Sequence, residues 1–497
     1  MPPHRRFRAP SGNGDVLADP GFDRVPGLVE RNRRLLDRSD VKVGGLPLPE
    51  FRALARREVL ELARAYTESQ SPGATLPGLS PDAPLLVAGH QPELSHPGVW
   101  VKNFALNGFA RKIGGTALNL VVDNDTLKST SERIPVLAGR DPAGVHLETV
   151  PFDRFGAEEP YEDRGVHDPE CFRTFADRAA PLWQTWTYEP VLPRAWGDVV
   201  HNPAPTVGGK FAAVRRAWER AWGCTNLELP VSRLAPETRS FARFVSSILS
   251  DLERFLSVYN NAVRDYRERH GIRSRSHPVP DLAADGEWYE APFWLWNRGE
   301  RREPLRVRLN EAASTPYAMI RPRALTLTLF ARLCLGDFFI HGIGGGKYDE
   351  VTDAVIRDYF GIEPPAYQVL SATLHLPLPG FPATADEVKR LERLERDLYW
   401  NPHRHLPDPG PPGREHAALA AAEPPAGPAR KARYRAFRRI GDQLRPRVTG
   451  RLADVRRQLT RARQEAHANA ILRRRDYSWV LFPGDVLRPF LQRFLDV

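Results

Sequence analysis

The sequence predicts an α/β protein with a parallel-sheet core, a region inserted into that core, and a helical arm near the C-terminus. Three observations predict it. The apolar runs Leu85-Leu86-Val87-Ala88 and Ala117-Leu118-Asn119-Leu120-Val121-Val122 flank a helical segment, which makes a strand–helix–strand unit of minimum size. Polar residues cluster just after each run, where parallel sheets bind ligands. Beyond Thr384, apolar residues recur at steps of three and four, the period of a helix face.

Composition sets the outer limits. At 497 residues the chain exceeds what one hydrophobic core usually fills, so several units are expected. Hydrophobic residues make up 41% and charged residues 27%, enough for a large core. Cys171, Cys224 and Cys334 are odd in number and far apart, which argues against a disulfide framework or a structural zinc site and for a reducing compartment. The basic N-terminus lacks an apolar signal region, and no apolar run approaches about 18 residues. A cytoplasmic protein with no membrane span is the expectation. The net charge of +10 is uneven: residues 430–475 hold 16 Lys/Arg against 3 Asp/Glu, an excess of +13, which leaves about −3 for the rest. That basicity belongs to the arm, whose sparse aromatics (Tyr434, Phe437) favour a solvated or partner-facing surface over a nucleic-acid arm.

The elements follow in order. Residues 1–80 read as an extended leader with one short helix, followed by an amphipathic helix over 48–70. The core is expected over 81–380, interrupted by an insertion over about 130–320. Within the insertion, strands are expected at 134–137, 145–150, 288–296 and 305–309, and helices at 170–188, 210–222 and 236–270, the last stopped by Gly271. A helix over 324–335, a strand over 337–340, a glycine loop over 341–347 and a helix over 348–360 complete the core. Thr384-Ala385-Asp386-Glu387 has capping-box spacing and opens the arm, 381–480. The arm holds a Pro/Gly/Ala linker at 401–429 and a coiled-coil-like stripe of Leu444, Val448, Leu452, Val455 and Leu459. Residues 481–497 return to the core.

Three motifs carry chemistry. Gly89-His90-Gln91 follows the first strand and leads through His96 into a helix that carries Lys102. Backbone N–H groups there would hold phosphate or carboxylate; the alternative is a tight loop with packed histidines. Asp123-Asn124-Asp125 follows the second strand and suits a substrate amine, a ribose hydroxyl or Mg²⁺, or else a helix cap. Gly344-Gly345-Gly346-Lys347-Tyr348 is read as an anion-binding loop, or as a flexible turn. It satisfies neither GxxxxGK[ST] nor GxGxxG. Asp349 and Asp353 read as a solvated helix face, and Arg321 and Arg323 as a possible carboxylate clamp.

Taken together, these blocks resemble the cysteine-adding enzyme family of bacillithiol biosynthesis. The resemblance rests on Ala88-Gly89-His90-Gln91, Leu94-Ser95, Pro97-Gly98 and Lys102; on acids closing the next strand; on Gly344 to Tyr348 followed by Phe360-Gly361-Ile362-Glu363-Pro364; and on Leu481-Phe482-Pro483-Gly484-Asp485-Val486-Leu487 near the end. Departures are His90 in place of Gln, an inverted Gly-Pro step, and Asn124 in place of a His between acids. The resemblance implies a Rossmann-like, nucleotidyltransferase-like core, an inserted connecting domain, and an arm that makes a homodimer. It also implies a ligase-like enzyme joining cysteine to a malylated glucosamine, with ATP or another nucleotide bound and the need for Mg²⁺ open. Under that reading His90, His96 and Asp125 are catalytic. Gly89, Gln91, Lys102, Asp123, Gly344, Gly345, Gly346, Lys347 and Tyr348 bind substrate or nucleotide. The rival is a non-catalytic dimeric sensor of a nucleotide or metabolite.

Overall fold

Five short segments are buried almost throughout, as strands covered on both faces must be. The structure, a computed structural model, describes residues 7–497 apart from 74, 75, 77, 79, 81, 298, 309–316 and 424–426. Its central sheet comprises β1 (Val16–Asp19), β2 (Leu85–His90), β3 (Thr116–Val121), β4 (Leu227–Pro230), β5 (Phe338–His341) and β6 (Tyr367–Ala372), in the order β1-β6-β5-β2-β3-β4. All neighbours are parallel except β1, the partly exposed edge strand, which runs antiparallel to β6. The chain steps outward from β2 to β3 to β4. It then returns past β2 to lay down β5 and β6. The order therefore reverses between β2 and β5, the position at which open α/β sheets generally bind their ligands.

Side chains alternate across this sheet. Leu85, Val87, Leu118 and Leu120 enter one core, and Leu86, Ala88 and Ala117 enter the other. Helices α1 (Val25–Asp37) and α2 (Leu48–Gln70) flank the sheet, with Phe51, Ala55 and Val59 of α2 in the first core. Helix α3 (Pro97–Lys112) fills the second core with Trp100, Phe104 and Phe109. Helices α4 (Val207–Ala221) and α5 (Ile343–Phe360) precede β4 and β6. No described helix is long and apolar enough to cross a membrane.

Several expectations change. The leader holds the expected helix, as α1, but also supplies β1, and Asn32 of α1 donates to the Asp337 and Ala366 carbonyls, so this segment is part of the body. The helix expected over 236–270 breaks at Asp251 into Arg239–Leu249 and Leu252–His270; Gly271 does end it, at φ 63°. Residues 170–188 form short turns of helix (Pro169–Arg173, Phe175–Ala179). The hairpin Ser131–Val136 with His146–Pro151 and the strands Trp288–Leu295 and Glu303–Arg308 lie where expected; residue 309 is outside the described residues. The glycine segment is not a loop. It forms the first turn of α5, because Gly342 already accepts the helical bond from the Gly346 N–H.

In the arm, α6 (Ala385–Trp400) opens on Thr384, whose hydroxyl accepts from the Glu387 N–H. The expected linker carries a helix, α7 (Gly410–Ala421), before α8 (Pro428–Leu444) and α9 (Thr449–Leu472). Helices α6 and α9 run antiparallel. The stripe of Val448, Leu452, Val455, Leu459 and Ala462 buries itself on Leu391 and Leu398 of the same chain.

Candidate functional site

Lys102 stands where the strand order reverses, between the ends of β2 and β5. Helix α3 begins at Pro97, and its first turn is pressed onto the end of β6: a Cβ on Gly98 would lie 1.9 Å from the Ala372 carbonyl oxygen. The start of α3 therefore leaves no room for an anion, contrary to the expectation for the segment after Gln91. Lys102, in the next turn, points back under the loop after β2. Its ammonium donates to the Gly89 carbonyl at 3.1 Å and lies 3.9 Å from where a Gly342 side chain would begin. Lys102 is 2% exposed and forms no ion pair among the described residues. Burial, weakly opposed by Glu93, lowers its pKa to about 8.

Facing it is the start of α5, where the Ile343, Gly344 and Gly345 N–H groups have no acceptor among the described residues and no side chain caps the end. A buried cation thus lies beside the positive end of an 18-residue helix. The three glycines differ in role. Gly344 faces open space, whereas a Cβ on Gly345 would lie 2.7 Å from His341 Nδ1 and one on Gly346 would lie 2.3 Å from Val369 Cγ2. Lys347 is exposed, and the Tyr348 ring packs edge-on to His277, so neither joins this site. Asp349 is not on a solvated face either. It is 1% exposed and bonded by His341 and Arg332, which against the effect of burial hold its carboxyl at about 2.

The loops after β2 and β3 are tied together. Gln91 Nε2 donates to Asp125 Oδ2 at 2.9 Å, and Asp125 Oδ1 accepts from the Thr126 N–H. His90 Nδ1 contacts the Gln91 carbonyl at 3.1 Å. Burial, then the nearby Lys102 charge, lowers the His90 pKa to about 3; burial and Arg475 lower His96 to about 4. Both imidazoles are neutral at neutral pH and are weak bases. Asn124 turns away and donates to the Pro322 carbonyl.

Asp123 borders a cavity of about 420 Å³ beyond the ends of β3 and β4. Its oxygens accept from the Ser232 N–H at 2.9 Å and the Ser232 hydroxyl at 2.6 Å, and burial raises its pKa to about 6. Glu162, whose N–H donates to the Asp123 carbonyl, lines the same cavity. Burial raises its carboxyl to about 7 despite the Arg321 clamp at 3.0 Å. Trp296, under the Arg321 guanidinium, forms a wall and donates to Asp163. Arg321 and Arg323 each clamp an internal carboxylate, Glu162 and Glu290. Glu162, Ser232 and Trp296 belong to segments that carry no motif, whereas Asp123 and Arg321 of the same cavity leave a signal in the sequence.

Among the described residues no group of three or more His, Cys, Asp or Glu is arranged to hold a metal. A larger cleft of about 700 Å³ lies at the amino end of β6, walled by alternating charges such as Arg31, Glu350 and Arg357, and contains none of the expected site residues. No known protein family matches the chain, and no characterised protein matches it significantly.

Proposed function

We propose that this chain is a ligase-like enzyme with a Rossmann-like core that forms an amide from an anionic and an amine substrate. The observation that carries the reading is Lys102: a buried ammonium without a carboxylate partner among the described residues, opposite the uncapped start of α5, at the reversal of strand order. Such a pair favours a phosphate or carboxylate group. The neighbouring acidic cavity favours an amine, held by Asp123 and Glu162. The two lie one strand apart, since His90 pairs with Val121 across β2 and β3. With pKa values of about 6 and 7, Asp123 and Glu162 are matched to accept the proton that an attacking ammonium must lose.

The resemblance in sequence narrows the substrates to cysteine and a malylated glucosamine, in a cytoplasmic thiol-forming pathway. A nucleotide, ATP by that resemblance, fits this site as an anion; when bound it would supply the activation that a free carboxylate lacks. Lys102 and the α5 start would bind its phosphates, and Gln91 and Asp125 would fix the loop around it. A homodimer, also implied by the resemblance, would need surfaces other than the apolar stripe of α9, which is used within the chain.

The test is turnover of cysteine, malylated glucosamine and ATP by the purified protein, followed by mass spectrometry of the product. Wild type is expected to form the cysteinyl product, Lys102→Met to lose nucleotide binding, and Glu162→Gln to lose turnover while keeping nucleotide binding. Tight nucleotide binding with no product from any amino-acid donor would replace this reading with the sensor. Wild-type affinity in Lys102→Met would refute the anion site itself.

A further inference from the structure

The exposed face of α8 is basic, and it carries aromatic rings that the sequence pattern separates. Lys431, Tyr434, Arg435 and Arg438 recur at three- and four-residue steps and so share one side of the helix. All four are exposed, Tyr434 at 55%. Trp400, at the end of α6 and 47% exposed, joins them: the Arg438 guanidinium lies 6.0 Å from its ring centroid. Phe437, on the other side of α8, packs inward on His416. Lys431 and Arg435 form no ion pair among the described residues, so their charges are available. Helix α8 alone holds six Lys/Arg (Arg430, Lys431, Arg433, Arg435, Arg438 and Arg439) against one acid, Asp442, which gives this face a positive field.

From this juxtaposition we infer that the α8 face, with Trp400, binds single-stranded nucleic acid, its cations meeting phosphates and Tyr434 and Trp400 stacking on bases. Basic side chains interleaved with exposed rings are the physical requirement for such binding. An anionic membrane is the poorer fit, because the face has no aliphatic side chains to bury below the headgroups.

The experiment measures fluorescence anisotropy of labelled oligo-dT and oligo-U with the full chain between about 50 and about 200 mM salt. Binding that weakens steeply with salt is expected. The triple variant Lys431→Gln, Arg435→Gln, Arg438→Gln should bind roughly tenfold or more weakly, with a log–log salt slope shallower by about 2. Tyr434→Ala should weaken binding by roughly fivefold or more while leaving the salt slope unchanged. These residues are exposed, and unchanged circular dichroism would confirm that the variants fold. The inference is overturned if neither oligonucleotide binds at low salt or if the triple variant binds as wild type does. It is also overturned if phosphatidylserine vesicles bind the chain and oligonucleotides do not.

Discussion

Lys102 illustrates a residue whose cost to folding reports its purpose. Its pKa is lowered from 10.5 to about 8, so the folded chain holds fewer protons than the unfolded chain between these values. Stability attributable to this group therefore rises with pH through that window, and the penalty is complete below about pH 8. At pH 7, Lys102→Met is expected to raise the stability of the ligand-free protein by roughly 1–3 kcal/mol, and the gain should shrink toward pH 10. Paired urea melts of the two proteins across pH would measure it. Inorganic phosphate should reverse the order, stabilising wild type and leaving the variant unchanged. Its binding should fall above about pH 8, as the ammonium is lost. A variant less stable than wild type at pH 7 would mean that the ammonium has an anionic partner within the protein, beyond the Gly89 carbonyl. Lys102 was legible in the sequence as a cation one turn into a helix after a strand. Its burial was not, because that depends on β5, a strand more than two hundred residues away.

At the scale of the element, α5 shows how a glycine run misleads. Three consecutive glycines read as a free loop, yet two of them exist because the helix is pressed against His341 and Val369. Gly346→Ala is expected to destabilise by about 1–3 kcal/mol through overpacking on β6. Gly344→Ala, in open space on the same turn, should be neutral or stabilising by up to about 1 kcal/mol. Thermal melts of both variants would separate a packed helix from a flexible anion-binding loop, in which the two substitutions would behave alike. The capping box at Thr384 was readable because its signal is local: Thr384→Ala is expected to cost about 1 kcal/mol in the same assay. Strands β4 and β6 were not read. Leu227–Pro230 is only four residues long, and Tyr367–Ala372 carries Gln368 and Ser371, polar groups bonded to Pro20 and Gly98 from remote segments.

Across the whole molecule, the sequence revealed the parallel core and the arm because both rest on periodic apolar patterns. It did not reveal which surfaces those patterns meet. The stripe of α9 is the sharpest case: spacing alone fits a dimer seam, whereas the structure closes it on α6 through Leu391 and Leu398. The two arrangements differ in how stability depends on protein concentration. Leu459, 3% exposed, should cost about 2–5 kcal/mol on replacement by Ala, since the cavity left between two packed helices collapses only in part. If the seam lies within one chain, the melting temperature of wild type and of Leu459→Ala will be the same at any protein concentration. If the stripe is shared between copies, dilution will lower the melting temperature of both, and more steeply for the variant, because association then contributes to stability by mass action. Melts across a hundredfold range of concentration, read beside sedimentation velocity, would distinguish the two. A concentration-dependent melt would require α6 and α9 to exchange partners between chains.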